Sequence, residues 1–402
     1  MPKSCAISCL NDLRPVALTA VPMKICERLF LQHLKPLVLP FLDPLQFAYQ
    51  ANRNCEDAVL LILEKLLSHL EYTYKGFSAR VMFFDFSSAF NTIQPHILIG
   101  KLLEMNVPYS FINWVMNYLT NRSQFVKLSS SCHSDLLFSN TGVPQGTVLA
   151  PFLFTLYTYD ARSTDELCPL IKFADDTALI GLIKNNDDRA YLNQLNSFVE
   201  YCDLNFLSLN TSKTKEMLID FRSHTNDSQP VVIKGSAVAR VSSYKYLGIV
   251  LNDKLTWGDH VDTIIKKLNS RLYCLRKMSN FQVRPEILMM FYNAVICSVW
   301  RYCLICWGGN VSKTEMNRID CVIRKAGKVL GEMQPDVYSV YLDILNAKLE
   351  KIYDDFGHPL HNITFNNRMK SGRLRLPFIK TSRHRNSFIP RAISAFNDKF
   401  QR

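Results

Sequence analysis

The sequence predicts an α+β fold, and three observations carry that expectation. Apolar, strand-like runs recur through the first half of the chain, among them Val81-Met82-Phe83-Phe84 and the pair Leu170–Phe173 and Ala178–Leu182. Helical patterns lie between them, such as Glu56–Leu70, in which apolar residues return every three or four positions. From about His260 the pattern becomes helical, with Ile264, Ile265, Leu268, Leu272 and Leu275 on one face and Lys266, Lys267, Arg271, Arg276 and Lys277 alternating with them.

The first 50 residues are rich in proline, with Pro15, Pro22, Pro36, Pro40 and Pro44, and show no fold-initiating element; the chain reads as starting inside a larger structure. After the Glu56–Leu70 helix, Val81–Phe86 reads as a buried strand that carries an acid, Asp85, at its end. Helices over Pro95–Met105 and Pro108–Leu119 follow, and Gln124–Leu128 and Asp135–Ser139 can pair as a hairpin. Gly142-Val143-Pro144-Gln145-Gly146 is a turn, with a helix over Thr147–Asp160 behind it. Beyond the strand pair come a helix near Asp187–Asp203, a strand near Glu216–Phe221 and short strands near Val231 and Tyr244.

Composition narrows the functional classes. A chain of 402 residues, 48% hydrophobic, buries a sizeable core and has room for two or three subdomains. Its net charge of +12 points to a polyanionic partner, and the stretch from His361 to Arg402 holds ten basic residues against one acid. Twelve cysteines are scattered without a framework, which suits reduced thiols in the cytoplasm or nucleus. Cys303-Leu304-Ile305-Cys306 lacks a second pair or a histidine to complete a zinc site and reads as core packing. No signal peptide is readable, and the longest apolar stretch, Val148–Tyr159, is too short for a membrane span and is interrupted by Pro151.

The chemistry centres on Phe173-Ala174-Asp175-Asp176-Thr177-Ala178, which sets two adjacent carboxylates in the tight connection between two apolar strands. Alone, such a pair is most simply a solvated turn. Like charges side by side repel, however, and a cation such as Mg²⁺ relieves them. Asp85 ends a second strand 90 residues upstream. If the two strands pair, three carboxylates converge, enough to hold two divalent ions about 3.5–4 Å apart for nucleotidyl transfer.

Seven segments, in order, then resemble the reverse transcriptase of non-LTR retrotransposons, in the jockey-like branch of the long interspersed elements. They are Asn11–Thr19, Asp43–Tyr49, Asp85–Ile93, Gly142–Pro151, Phe173–Thr177, Leu209–Lys215 and Tyr246-Leu247-Gly248. The resemblance implies a right-hand polymerase: partial fingers over 1–80, a palm with finger insertions over 81–250, a helical thumb over 251–335 and a basic C-terminal extension over 336–402. It implies that Asp85, Asp175 and Asp176 bind metal and catalyse, with the main-chain carbonyl of Phe86 joining the metal shell. Phe90 matches the aromatic residue under the incoming sugar, where a ring clashes with a 2′-hydroxyl. Gln145 matches a nucleotide and template contact, and Arg14 a triphosphate contact. Lys213 matches a proton donor to the departing pyrophosphate, and Tyr246-Leu247-Gly248 the primer grip. Lys267 and Arg271 on the helical face, and Arg383 and Arg385 in the tail, are candidate nucleic-acid contacts.

The implied cofactors are two Mg²⁺ ions, with Mn²⁺ as an alternative, and the implied partners are an RNA template, a DNA primer and dNTPs. Departures are mild: Thr147 and Ala150 stand where relatives often carry Cys or Ser, and Ala51 where Pro is usual. The chain reads as an N-terminally truncated copy without the family's endonuclease. Two functions stay open on this reading, an active polymerase and an RNA-binding remnant that no longer synthesises DNA. Oligomeric state is not legible.

Overall fold

The computed structural model describes residues 13, 15–71, 77–127, 129, 131–222, 229–366, 369 and 372–399. The proline-rich start does hold an element, contrary to the expectation, namely the helix α1 (Val21–Val38). Pro22 lies in its first turn, where the missing N–H has no intrahelical acceptor to lose, and Pro36 falls so near the end that little helix follows it. The next helix, α2 (Cys55–Leu70), opens with a capping box in which the Asn54 and Asp57 side chains each accept from the other's backbone N–H, at 3.1 and 3.0 Å. Most α2 side chains are buried, so it is a core helix.

The strand β1 (Ser78–Phe84) starts three residues before the expected Val81 and stops two before Phe86. Two helices follow as expected to within a residue, α3 (Pro95–Glu104) and α4 (Tyr109–Leu119). The hairpin of β2 (Arg122–Gln124) and β3 (Leu137–Ser139) has its ladder toward the base of the expected Gln124–Leu128 and Asp135–Ser139 pair, with an isolated bridge between Lys127 and His133 nearer the tip. Helix α5 (Ala150–Tyr157) is shorter than Thr147–Asp160; ahead of it the Thr147 hydroxyl accepts from Ala150 N at 3.3 Å. After it come β4 (Leu170–Phe173), β5 (Asp176–Ile183), α6 (Arg189–Leu204), β6 (Lys215–Ile219), β7 (Val232–Ile233), β8 (Ser236–Ala237) and β9 (Ala239–Arg240). The hairpin β10 (Ser243–Tyr246) and β11 (Ile249–Asn252) closes this half; β11 is an addition to the expected elements.

The central sheet has the order β4-β5-β1-β6-β9, antiparallel except for the short β6–β9 pair. Strand β1 is buried along its whole length because both faces of the sheet are covered. Side chains alternate between the two cores: Ala79, Val81 and Phe83 join one with α2, whereas Met82 and Phe84 join the other with α5 and α6. This is why its sequence reads as a continuous apolar run.

The second half is helical: α7 (Gly258–Asn280), α8 (Pro285–Phe291), α9 (Ser298–Arg301), α10 (Leu304–Trp307), α11 (Lys313–Leu330), α12 (Val337–Asp354), α13 (Pro359–Phe365), α14 (Ser382–Arg385) and α15 (Phe388–Lys399). Ile264, Leu268, Leu272 and Leu275 of α7 are buried as the periodicity predicts. Pro285–Trp307, with mean hydropathy 1.4, is the one described helical run long and apolar enough to cross a membrane, a longer apolar stretch than Val148–Tyr159. Its Tyr292, Ile296, Trp300, Leu304 and Trp307 recur at about four-residue spacing and are buried in the protein's own core. Cys303 and Cys306 are buried there too, as core packing.

The C-terminal stretch docks on α2. Glu71 accepts from Lys380 N at 2.5 Å and Thr381 N at 3.1 Å, and buried His384 lies 3.4 Å from Glu71 and 3.6 Å from Glu64. At the other end of α2, fully buried Asp57 pairs with Lys348 at 2.5 Å and His358 at 3.0 Å. Phe388 is buried and Phe396 packs on Phe365, whereas Phe378 stays exposed.

Candidate active site

Strand register decides where the three acids stand. The β1–β5 ladder ends with Phe84 opposite Thr177, so Asp85 follows directly after its last pair and Asp176 is the next residue along β5. On the other side of β5, Phe173 pairs with Asp176, which leaves a loop of Ala174 and Asp175. Asp176 is thus the first residue of a strand, where the sequence reading put both acids in the connection. Ala174 has φ 57, the left-handed region that two-residue hairpin loops demand.

Beyond β1 the chain leaves the sheet and is laced to the loop before β6. Asp85 N donates to Thr214 Oγ1 at 3.3 Å, Asn210 N donates to Asp85 O at 2.8 Å, and Ser87 N donates to Ser208 O at 2.8 Å. Phe86 forms an isolated bridge with Leu209. Lys213 belongs to this loop; its backbone N donates to Asn210 Oδ1 and its side chain is exposed.

The acids act on one another electrostatically. Partial burial, then the charges of Asp175 and Asp85, push the Asp176 carboxyl up to about 6 from 3.8, although the residue stays exposed on one side. Among the described residues no group of three or more His, Cys, Asp or Glu side chains is arranged to hold a metal ion by itself. An open, all-oxygen anionic site suits a hard divalent cation whose shell is completed by substrate phosphates.

The GVPQG turn is sewn to the segment that follows Asp85. Val143 N donates to Phe90 O at 2.8 Å, Gly142 N donates to Ile93 O at 2.7 Å, and Gln145 Nε2 donates to Asn91 Oδ1 at 3.1 Å. A Cβ on Gly142 would stand 2.8 Å from the Asn91 backbone, which is the approach that requires glycine there. The half-buried Phe90 ring lies on Phe154, centroids 4.9 Å apart. Tyr246 and Ile249 face each other across Leu247 (φ 43) and Gly248 (φ 86), the two positive values of a type I′ turn. Tyr302 braces that turn, donating its hydroxyl to Leu247 O at 2.8 Å.

A profile described as Reverse transcriptase (RNA-dependent DNA polymerase) matches residues 1–251. The chain belongs to the reverse transcriptase family. It is 25% identical over 336 residues to the probable RNA-directed DNA polymerase from transposon BS of Drosophila melanogaster, covering 80% of this chain and 36% of that protein. The corresponding protein of the X-element, from the same organism, is 24% identical over 375 residues, 90% of this chain and 40% of the relative. The RNA-directed DNA polymerase of the mobile element jockey from Drosophila funebris is 24% identical over 330 residues, 77% and 34% of the two chains. This reverse transcriptase chain therefore spans 34–40% of the length of these relatives. A solved telomerase from Candida tropicalis aligns with TM-score 0.41 and 10% identity, over 94% of this chain and 54% of that one, a likeness too loose to carry an argument.

Within the reverse transcriptase fold, Asp85, Asp175 and Asp176 gather at one end of the sheet, with Phe90 and Gln145 joined through Asn91. Arg14 lies outside the described residues. Two of the four expected nucleic-acid contacts are held by the protein itself. Arg271 donates to Val295 O at 2.5 Å, and Arg383 lies over the Phe221 ring at 4.2 Å; Lys267 and Arg385 are exposed.

Other residues of the site gave no signal in sequence. Glu27 of α1 is fully buried and accepts from Val148 N at 2.6 Å and Leu149 N at 3.1 Å, anchoring the start of α5 behind the GVPQG turn. Burial and then the charge of Asp175 raise the pKa of Tyr49, and burial and then the charges of Asp176 and Asp85 raise that of Tyr244. Each lies more than 60 residues from the acids it feels, with no local pattern to mark it.

Proposed function

We propose that this chain is the polymerase part of a non-LTR retroelement, extending a primer 3′-hydroxyl along an RNA template with dNTPs. The observation that carries the reading is that Asp85 follows the last β1–β5 pair while Asp175 and Asp176 stand at the adjoining end of β5, where the charges of Asp175 and Asp85 raise the Asp176 carboxyl. In this reading Asp85 and Asp175, with the Phe86 carbonyl, hold the divalent ions, and Asp176 completes the negative charge. Two Mg²⁺ ions, or Mn²⁺ in their place, lower the pKa of the primer hydroxyl when bound and offset charge on the leaving phosphates. Phe90 excludes the 2′-hydroxyl of ribonucleotides, and Gln145 contacts the nucleotide and template. Arg14 clamps the triphosphate, and exposed Lys213 gives a proton to pyrophosphate. The Tyr246-Leu247-Gly248 turn presses the primer end toward the acids. Residues 1–80 then serve as fingers, 81–250 as palm, 251–335 as thumb and 336–402 as a basic extension, with Lys267 and Arg385 free to meet phosphate.

The test is primer extension by the purified chain on poly(rA)/oligo(dT) with dTTP. The expected result is synthesis that chelation abolishes and added Mg²⁺ or Mn²⁺ restores. Binding of the template with no synthesis at any metal concentration would instead make the chain an RNA-binding remnant.

A further inference from the structure

Gln46 is 1% exposed, and its carboxamide is spent largely on the acid-bearing hairpin. Its Oε1 accepts from Ala174 N at 3.0 Å and from Ala48 N at 3.1 Å, while its Nε2 donates to Ala174 O at 3.3 Å. One side chain thus holds both backbone polar groups of a residue 128 positions away. Ala174 is a residue that needs holding. At φ 57 its Cβ crowds its own backbone, and glycine is the usual solution at the first position of such a loop. The residue that follows is Asp175.

The support behind Gln46 is rigid. Residues 43–47 lie along β4: Lys172 N donates to Leu45 O at 2.9 Å and Phe47 N donates to Lys172 O at 2.8 Å. Buried Asp43 and Lys172 form an ion pair at 2.8 Å. A side chain mounted in this way can fix a geometry, since a site is only as accurate as the shell that supports it.

We propose that Gln46 is a positioning residue for the polymerase: by gripping both polar groups of Ala174 it keeps this alanine left-handed and thereby sets where Asp175 stands. This rests on the catalytic reading of Asp175. Simple satisfaction of buried amides would occur at any turn; the strained alanine immediately before the acid ties the contact to the site.

Gln46→Met keeps the length of the side chain and removes all three hydrogen bonds. It is expected to lower kcat for primer extension about 30-fold, with KM for dTTP changed less than about threefold and the Mg²⁺ concentration for half-maximal rate raised. Hydrogen exchange in the peptide spanning Ala174 should speed by about tenfold or more, while β1 exchanges as in the parent chain. Adding Ala174→Gly removes the strain and should restore about fivefold in kcat, with the exchange still fast. Unchanged exchange at Ala174 together with unchanged kcat would overturn the proposal. So would faster exchange throughout the sheet with no rescue by glycine, which marks a general structural role. Failure of the catalytic reading shows separately, as synthesis retained by Asp175→Asn, because the exchange readout needs no activity.

Discussion

Asp175→Asn is expected to reduce primer extension by about 10³-fold or more, since several kcal/mol of transition-state stabilisation are lost with a ligand of the proposed metal site and each 1.4 kcal/mol is tenfold. Binding of labelled RNA should change less than about threefold, because the proposed phosphate contacts Lys267 and Arg385 lie on other elements. Thermal melting of the variant separates this loss from unfolding. Asp175 raises the Asp176 carboxyl by charge repulsion, so its neutralisation removes an unfavourable interaction and should leave the melting temperature equal or higher. Synthesis at the parent rate would remove Asp175 from the site.

The largest effect on stability is expected at Glu216→Ala. Glu216 is fully buried in β6 and accepts from Arg80 Nε at 2.8 Å and Tyr191 Oη at 3.0 Å, with Arg240 3.3 Å from its second oxygen. Arg80 is itself 2% exposed and also meets Asp188 at 2.5 Å. Removing the carboxylate leaves a buried guanidinium short of charge and a buried phenol without its acceptor, a loss of about 3–5 kcal/mol in urea unfolding. Glu216→Gln, which keeps an acceptor, should cost less. A loss below about 1 kcal/mol for Glu216→Ala would show that Asp188 alone satisfies Arg80.

What could be read from sequence followed the physics of each element. Strands buried on both faces are mostly apolar, so β1, β4 and β5 stand out as runs despite buried Arg80 and Lys172, and the α7 face follows from its spacing. Asp176 was misplaced by one element because a two-residue loop puts the second acid back in the ladder. Helix α1 was hidden by its prolines, which are harmless at its two ends. Arg80, which precedes the expected strand, is held within β1 by buried Glu216. Gln46 and Glu27 reach partners more than 100 residues away, and no periodicity records such contacts. Arg271 and Arg383, expected as nucleic-acid contacts, also have partners within the fold, the Val295 carbonyl and the Phe221 ring, which no local pattern records.

The central claim is that Asp85, Asp175 and Asp176 form one anionic site, and an NMR titration of the Asp176 carboxyl tests it most directly. In the folded chain this group should titrate at about 6 against 3.8 for an ordinary aspartate. Its proton therefore favours the fold: that contribution is fully present below 3.8 and is lost as pH rises through about 6. Metal-dependent synthesis, which needs the ionised form, should fall as pH drops through the same upper value. The account predicts a midpoint near 6 that moves down in Asp85→Asn; a midpoint near 3.8, unmoved by that substitution, would contradict it.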